Sequence, residues 1–144
     1  MEPTEAPDAR QQPGGSLGKD ISNLVVRVVR DYTGRGPTRA RAYLQDDLIS
    51  VVLRDSLTRG ERSLVNDGLA EHVLDTRRMY QRTMRNEITT GIEELTGRRV
   101  MAFFSDNHLD PDVAVEAVLL EPCDSPAPDA EGKPDDGAGE DNSA

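Results

Sequence analysis

Residues 69–95 place apolar side chains at Val73, Tyr80, Met84, Ile88, Ile92 and Leu95, close to the 3.6-residue period of one helical face. A helix of that length runs about 40 Å and depends on a surface to cover, because isolated helices are marginal in water. Arg78, Arg82 and Arg85 recur four and then three positions apart and are expected on the opposite side. Gly97 stops the run, since glycine readily takes the left-handed conformation that closes a helix. Two alternating segments flank it, residues 39–54 and 99–120, and both read as β-hairpins for the helix to cover.

The first hairpin has a register that the sequence specifies. With Asp46-Asp47 as a two-residue turn, Gln45 opposes Leu48, Leu44 opposes Ile49, Ala42 meets Val51 and Ala40 meets Leu53, which makes one face uniformly apolar. The other face carries Arg39, Arg41, Tyr43, Ser50, Val52 and Arg54. In the second pair, Val100, Ala102 and Phe104 alternate with Met101 and Phe103, residues 105–112 form a loop, and 113–120 return as a strand ended by Pro122. Both of its faces are largely apolar, which points to a central position or to burial against another subunit.

Ahead of these lies a helix over residues 21–32, with Ile21, Leu24, Val25, Val28, Val29 and Tyr32 at helical spacing and Asp20 as its cap. Gly34-Arg35-Gly36-Pro37 then forms a turn. Thr58 and Glu61 have the spacing of a capping box, and Asn66-Asp67-Gly68 is expected to break that short helix from the long one, a continuous helix with a tolerated glycine being the alternative. The order is therefore α-β-β-α-α-β-β: an α+β fold in which two hairpins make an antiparallel four-stranded sheet with helices on one face.

Composition sets the limits of this domain. Residues 1–19 and 123–144 are rich in Pro, Gly and acids with little to bury, so both are expected to be disordered and the domain to span 20–122. The C-terminal segment carries seven acids against one Lys, so the net charge of −10 belongs mostly to the ends. Both lysines, Lys19 and Lys133, also lie there, and every other basic residue is Arg, the side chain suited to bidentate pairing with carboxylate or phosphate. A single cysteine, Cys123, fits a reducing compartment, and no apolar run reaches the ~20 residues of a membrane span. A cytoplasmic location is expected.

Between Ile21 and Pro122 the sequence resembles a bacterial domain family named for MpsC, a proposed component of a sodium-translocating, membrane-potential-generating system. The resemblance rests on Gly34-Arg35-Gly36-Pro37, Leu57-Thr58, Thr76-Arg77-Arg78, Glu93-Glu94-Leu95-Thr96-Gly97-Arg98, Ser105-Asp106-Asn107 and Asp110-Pro111-Asp112. It implies a small soluble accessory protein and supplies no catalytic residues. A membrane-potential role would require an integral-membrane partner.

The residues themselves offer limited chemistry. Asp106, Asp110 and Asp112 carry hard oxygen ligands suited to Mg²⁺ or Ca²⁺, but without EF-hand spacing, and backbone capping in an Asp-rich loop is the competing reading. His72, His108 and Cys123 lack zinc spacing. The glycine turn sits between helix and strand, the reverse of a phosphate loop, leaving Arg35 at its tip as an anion contact. Ser50, Ser56, Ser63 and Ser105 occupy no nucleophile elbow. Arg39, Arg41 and Arg54 around Tyr43 resemble a backbone-tracking surface for nucleic acid, but the net acidic core and five aromatics in the whole chain weigh against it.

The expectation is a non-catalytic accessory or regulatory protein with no cofactor, and the alternative is a sensor for a small anion or divalent metal. Its candidate contacts are Arg35, Arg39, Arg41, Arg54 and Arg78. Arg39 and Arg54, directly opposed across the hairpin, repel unless neutralised. Glu116, expected to point outward from the last strand, and carboxylates of another subunit are candidates to do so; a bound anion is the alternative. Because one helical layer covers one side of an apolar hairpin, a homo-oligomer, most simply a dimer, is expected.

Overall fold

The computed structural model describes residues 15–122. The expected disorder of 1–14 and 123–144 lies outside them. The elements are α1 (Gly15–Thr33), β1 (Arg39–Gln45), β2 (Leu48–Arg54), α2 (Arg59–Asn66), α3 (Ala70–Thr96), β3 (Val100–His108) and β4 (Val113–Leu120). Their order is the one the periodicities imply.

Helix α1 starts at Gly15, so residues 15–19, expected in the disordered segment, are helical, and Asp20 lies inside the helix rather than capping it. Leu17 supplies the reason, because it packs against the core and extends the apolar stripe of Ile21, Leu24, Val25, Val28 and Val29 upstream. The other helix signals hold. Thr58 and Glu61 form a reciprocal capping box on α2, and Gly97 ends α3 in the left-handed region with φ 67°.

The β1–β2 register matches the expected one, from Arg39↔Arg54 through Gln45↔Leu48, and Asp46 takes the turn at φ 53°. The sheet order is β1-β2-β4-β3, antiparallel throughout. The second hairpin therefore joins through β4, which is central, while β3 forms the outer edge.

All three helices avoid one face of this sheet. α1 lies over β1 and β2, and α3 runs beside α1 over β3. Between them and the sheet sits the core: α1's stripe, Ile49, Val51 and Leu53 of β2, Met84, Ile88 and Ile92 of α3, and Ala114, Val118 and Leu120 of β4. Full burial of each such aliphatic side chain contributes about 1.5–3 kcal/mol, offset by the entropy of ordering it. Where α1 and α3 cross, a Cβ on Gly91 would stand 2.5 Å from Leu24 Cδ2, so glycine sets how closely the helices approach.

Candidate functional site

The arginines divide into those that hold the fold and those that face outward. Arg35 belongs to the first group. Its guanidinium donates to the carbonyls of Asp55 at 2.9 Å and Leu57 at 2.6 Å and pairs with the Asp55 carboxylate at 3.0 Å. It staples the glycine turn to the end of β2, where Asp55 holds a left-handed φ of 57°. Arg35, with a hydrogen bond from Thr38 next in weight, keeps the Asp55 carboxyl below its ordinary range. Arg62 joins both Asp55 and Asp112.

Arg77 is the residue that sequence reading missed. It lies on the inner face of α3, 3% exposed, donating to Glu61 at 2.5 and 2.6 Å and to the Ser56 carbonyl at 2.8 Å. Glu61 also completes the α2 capping box, so a single carboxylate links two helices. Burial raises the Glu61 pKa, but hydrogen bonds and charge from Arg77 and Thr58 outweigh it and the net shift is downward.

The inner face of α3 is therefore not the expected one. Val73, Arg77, Gln81, Met84, Ile88 and Ile92 are buried, whereas Tyr80 and Leu95, expected inside, are exposed. Two polar residues enter the stripe because each meets acceptors there, Arg77 those of Glu61 and Ser56 and Gln81 a carboxylate presented by the sheet.

That carboxylate is Glu116, and its expected outward direction is overturned. It opposes Val51 on β2 and Ser105 on β3, on the helix-covered face, and is 3% exposed. Gln81 Nε2 reaches its Oε1 at 3.4 Å. Glu116 Oε2 and Ser105 Oγ have no hydrogen-bond partner among the described residues. Burial raises the pKa to about 7, against the opposing influence of Ser105, Gln81 and the Arg77 charge. Glu116 cannot neutralise Arg39 and Arg54, which lie on the other side of the sheet.

Above Gln81 and Ser105 opens a cleft of about 400 Å³ between α3 and β3, lined by Arg78, Gln81, Arg82, Arg85, Phe103 and Ser105. The three arginines, expected opposite the buried face, flank the sheet edge instead. Arg78 pairs with Asp75 at 3.0 Å and remains half exposed. Arg85 sits 5.8 Å over the Phe103 ring. Arg82 makes no side-chain contact of either kind with the described residues.

The outer face gathers the remaining candidates. Arg39, Arg41, Arg54 and Tyr43 line a shallow groove with Thr38, Ala40 and Val52. The Arg41 guanidinium lies 5.0 Å over the Tyr43 ring, its neighbour two residues on. No ion pair engages Arg39, Arg41 or Arg54 among the described residues.

Asp106, Asp110 and Asp112 are not brought together. Asp112 accepts the Leu57 N–H at 2.9 Å and pairs with Arg62, while Asp106 accepts the Asn107 N–H at 2.8 Å. Among the described residues no group of three or more His, Cys, Asp or Glu side chains is placed to hold a metal ion. Of the three, only Asp112 caps backbone from the loop; Asp106 lies in β3, which runs through His108, so residues 105–108, expected in the loop, are strand.

Residues 14–122 match the model of a family described as "Na+-translocating membrane potential-generating system (MpsC)". No curated protein and no solved structure matches the chain. Several stretches that carry the resemblance fall on the clamps just described: Arg35, Leu57, Thr58, Arg77 and Asp112 meet at one end of the sheet. At the other end Glu93 accepts the Val100 N–H at 3.0 Å, and Arg98 pairs with Asp47 and donates to the Glu121 carbonyl.

Proposed function

The chain belongs to the MpsC family, and from that premise we propose that it is a non-catalytic accessory or regulatory protein of an ion-transport or membrane-potential system, acting from the cytoplasm. No helix among the described residues is long and apolar enough to cross a membrane, so in this reading the ion path belongs to an integral-membrane partner. The observation that carries the reading is the arginine-lined cleft. Three guanidiniums along one flank of α3 project toward solvent around an aromatic ring, and they offer an acidic loop of a partner several bidentate contacts.

The test is affinity capture from detergent-solubilised membranes, comparing the wild type with a variant in which Arg78, Arg82 and Arg85 are all Gln. An integral-membrane transport protein retained by the wild type and lost by the variant supports the reading. Equal capture by both, or none by either, overturns it.

The same cleft favours a second reading, the sensing of a small anion. A phosphate-bearing metabolite at 100 times its dissociation constant would add about 2.7 kcal/mol to native stability. In a domain of this size that raises the melting temperature by roughly 10 °C or more. The shift should vanish in the triple variant.

A further inference from the structure

We propose that the open face of the sheet is the interface between two copies of this chain, packed face to face about a two-fold axis parallel to the strands, between β2 and β4. The inference uses the sheet register and not the arginine cleft, so either can fail without the other.

The centre of this face is apolar where a solvated antiparallel sheet would alternate to polar. Outward positions on β4 are Val113, Val115, Ala117 and Leu119, beside Leu48 and Val52 of β2. Leu48 is 44% exposed and Val115 36%, although both strands are central. Charge lies at the flanks and at one end, with Arg39 and Arg41 on the β1 edge, Asp106 on the β3 edge and Arg54 at the last position of β2. The β3–β4 loop, carrying Asp110, projects at the same end of the sheet as Arg39 and Arg54.

The cross-strand rows decide how two such faces fit. One row reads Arg41, Val52, Val115, Asp106, and the next Tyr43, Ser50, Ala117, Phe104. A two-fold parallel to the strands exchanges the β1 and β3 edges while keeping each row at its own height. It sets Arg41 against Asp106 of the second copy, Val52 against Val115, and Tyr43 against Phe104. In the end row it sets Arg39 against His108 and Arg54 against Val113 of the second copy, with the Asp110 loop of that copy next to them. An axis perpendicular to the strands would instead lay Asp106 on Phe104 and Arg54 on Leu48, burying charge without compensation. Charge complementarity selects the first arrangement.

The size suffices. Seven-residue strands at about 3.4 Å per residue and four strands about 4.8 Å apart give a face of roughly 24 by 19 Å. With side-chain relief, two copies bury about 1,000–1,200 Å², the lower edge for a stable dimer.

The test is sedimentation at tens of micromolar, with circular dichroism to verify folding. The wild type should run as a dimer. Val115→Asp should make it a monomer. Arg41→Asp and Asp106→Arg should each weaken association more than about 100-fold, because each sets like charges together at both symmetric contacts. Mixed in equal amounts, those two variants should dimerise again, since every facing pair then has opposite charges. Arg41 and Asp106 lie on opposite edges of their own sheet, so no contact within one chain can produce that rescue. A wild-type monomer overturns the proposal and leaves the face to residues 123–144 or to another protein. A dimer that survives Val115→Asp overturns it as well, and variants that fail to associate when mixed overturn the two-fold arrangement.

Discussion

Arg77 and Arg41 show what the two sides of this sheet ask of the same side chain. On the covered side Arg77 is sealed beneath α3, with its donors taken up by Glu61 and the Ser56 carbonyl. On the open side Arg41 rests on the ring of its own strand neighbour and has no carboxylate among the described residues. A guanidinium beneath a helix must be paired to be there at all, whereas one in water keeps its hydration until a partner replaces it. Residue type is thus uninformative by itself, and the supply of acceptors on each face separates clamp from contact.

The largest expected effect comes from breaking the covered side. Arg77→Ala leaves the Glu61 carboxylate, largely shielded, without its counter-ion and should destabilise the chain by about 3–5 kcal/mol in a denaturant titration. A loss below about 1 kcal/mol would show that this pair does not hold α2 to α3.

Glu116 should respond in the opposite direction. Its folded pKa of about 7 exceeds the ordinary 4.5, so the folded state binds more protons between those values. Stability contributed by the protonated form is therefore lost as pH rises from 4.5 to 7, and the full penalty persists above 7. Glu116→Gln should stabilise the protein at pH 8 by on the order of 3 kcal/mol, and by much less at pH 5. Thermal melts at the two pH values measure the difference. A gain equal at both would mean that burial does not hold the proton.

Open-side changes should barely move stability. Arg41→Gln and Arg82→Gln should each alter the unfolding free energy of the monomer by no more than about 0.5 kcal/mol, measured at high dilution. They should differ in self-association, which Arg41→Gln weakens and Arg82→Gln spares. Identical sedimentation of both variants and the wild type would reduce the hairpin arginines to ordinary surface charge.

Local pattern carried most of the fold. The alternation of residues 39–54 with a two-residue turn specifies its register, because a slip by one residue would turn Ile49, Val51 and Leu53 to the wrong face. Thr58 with Glu61, and Gly97, act within a single helical turn and are equally legible. The start of α1 was less so, since Leu17 adds one apolar position amid Gly, Ser and Gln. Among the site residues, Arg39, Arg41 and Arg54 could be grouped from the hairpin alone, while the roles of Arg35 and Arg77 could not.

What the sequence alone determined, then, is the register of the first hairpin, the capping box of α2 and the stop of α3. It determined neither the cap of α1 nor the extent of β3, which runs through His108 where a loop was expected. Only the tertiary structure decided that β4 enters the sheet beside β2, and with it that Glu116 turns beneath α3. That placement admitted Gln81, and the docking of α2 through Glu61 admitted Arg77, to a helix face that periodicity assigned to Tyr80 and Leu95. The reason is physical: the pairing of one hairpin with another is a long-range contact, and which face of β4 is covered follows from where the helices lie. Periodicity separates two faces of a strand but assigns neither to the core when both are apolar.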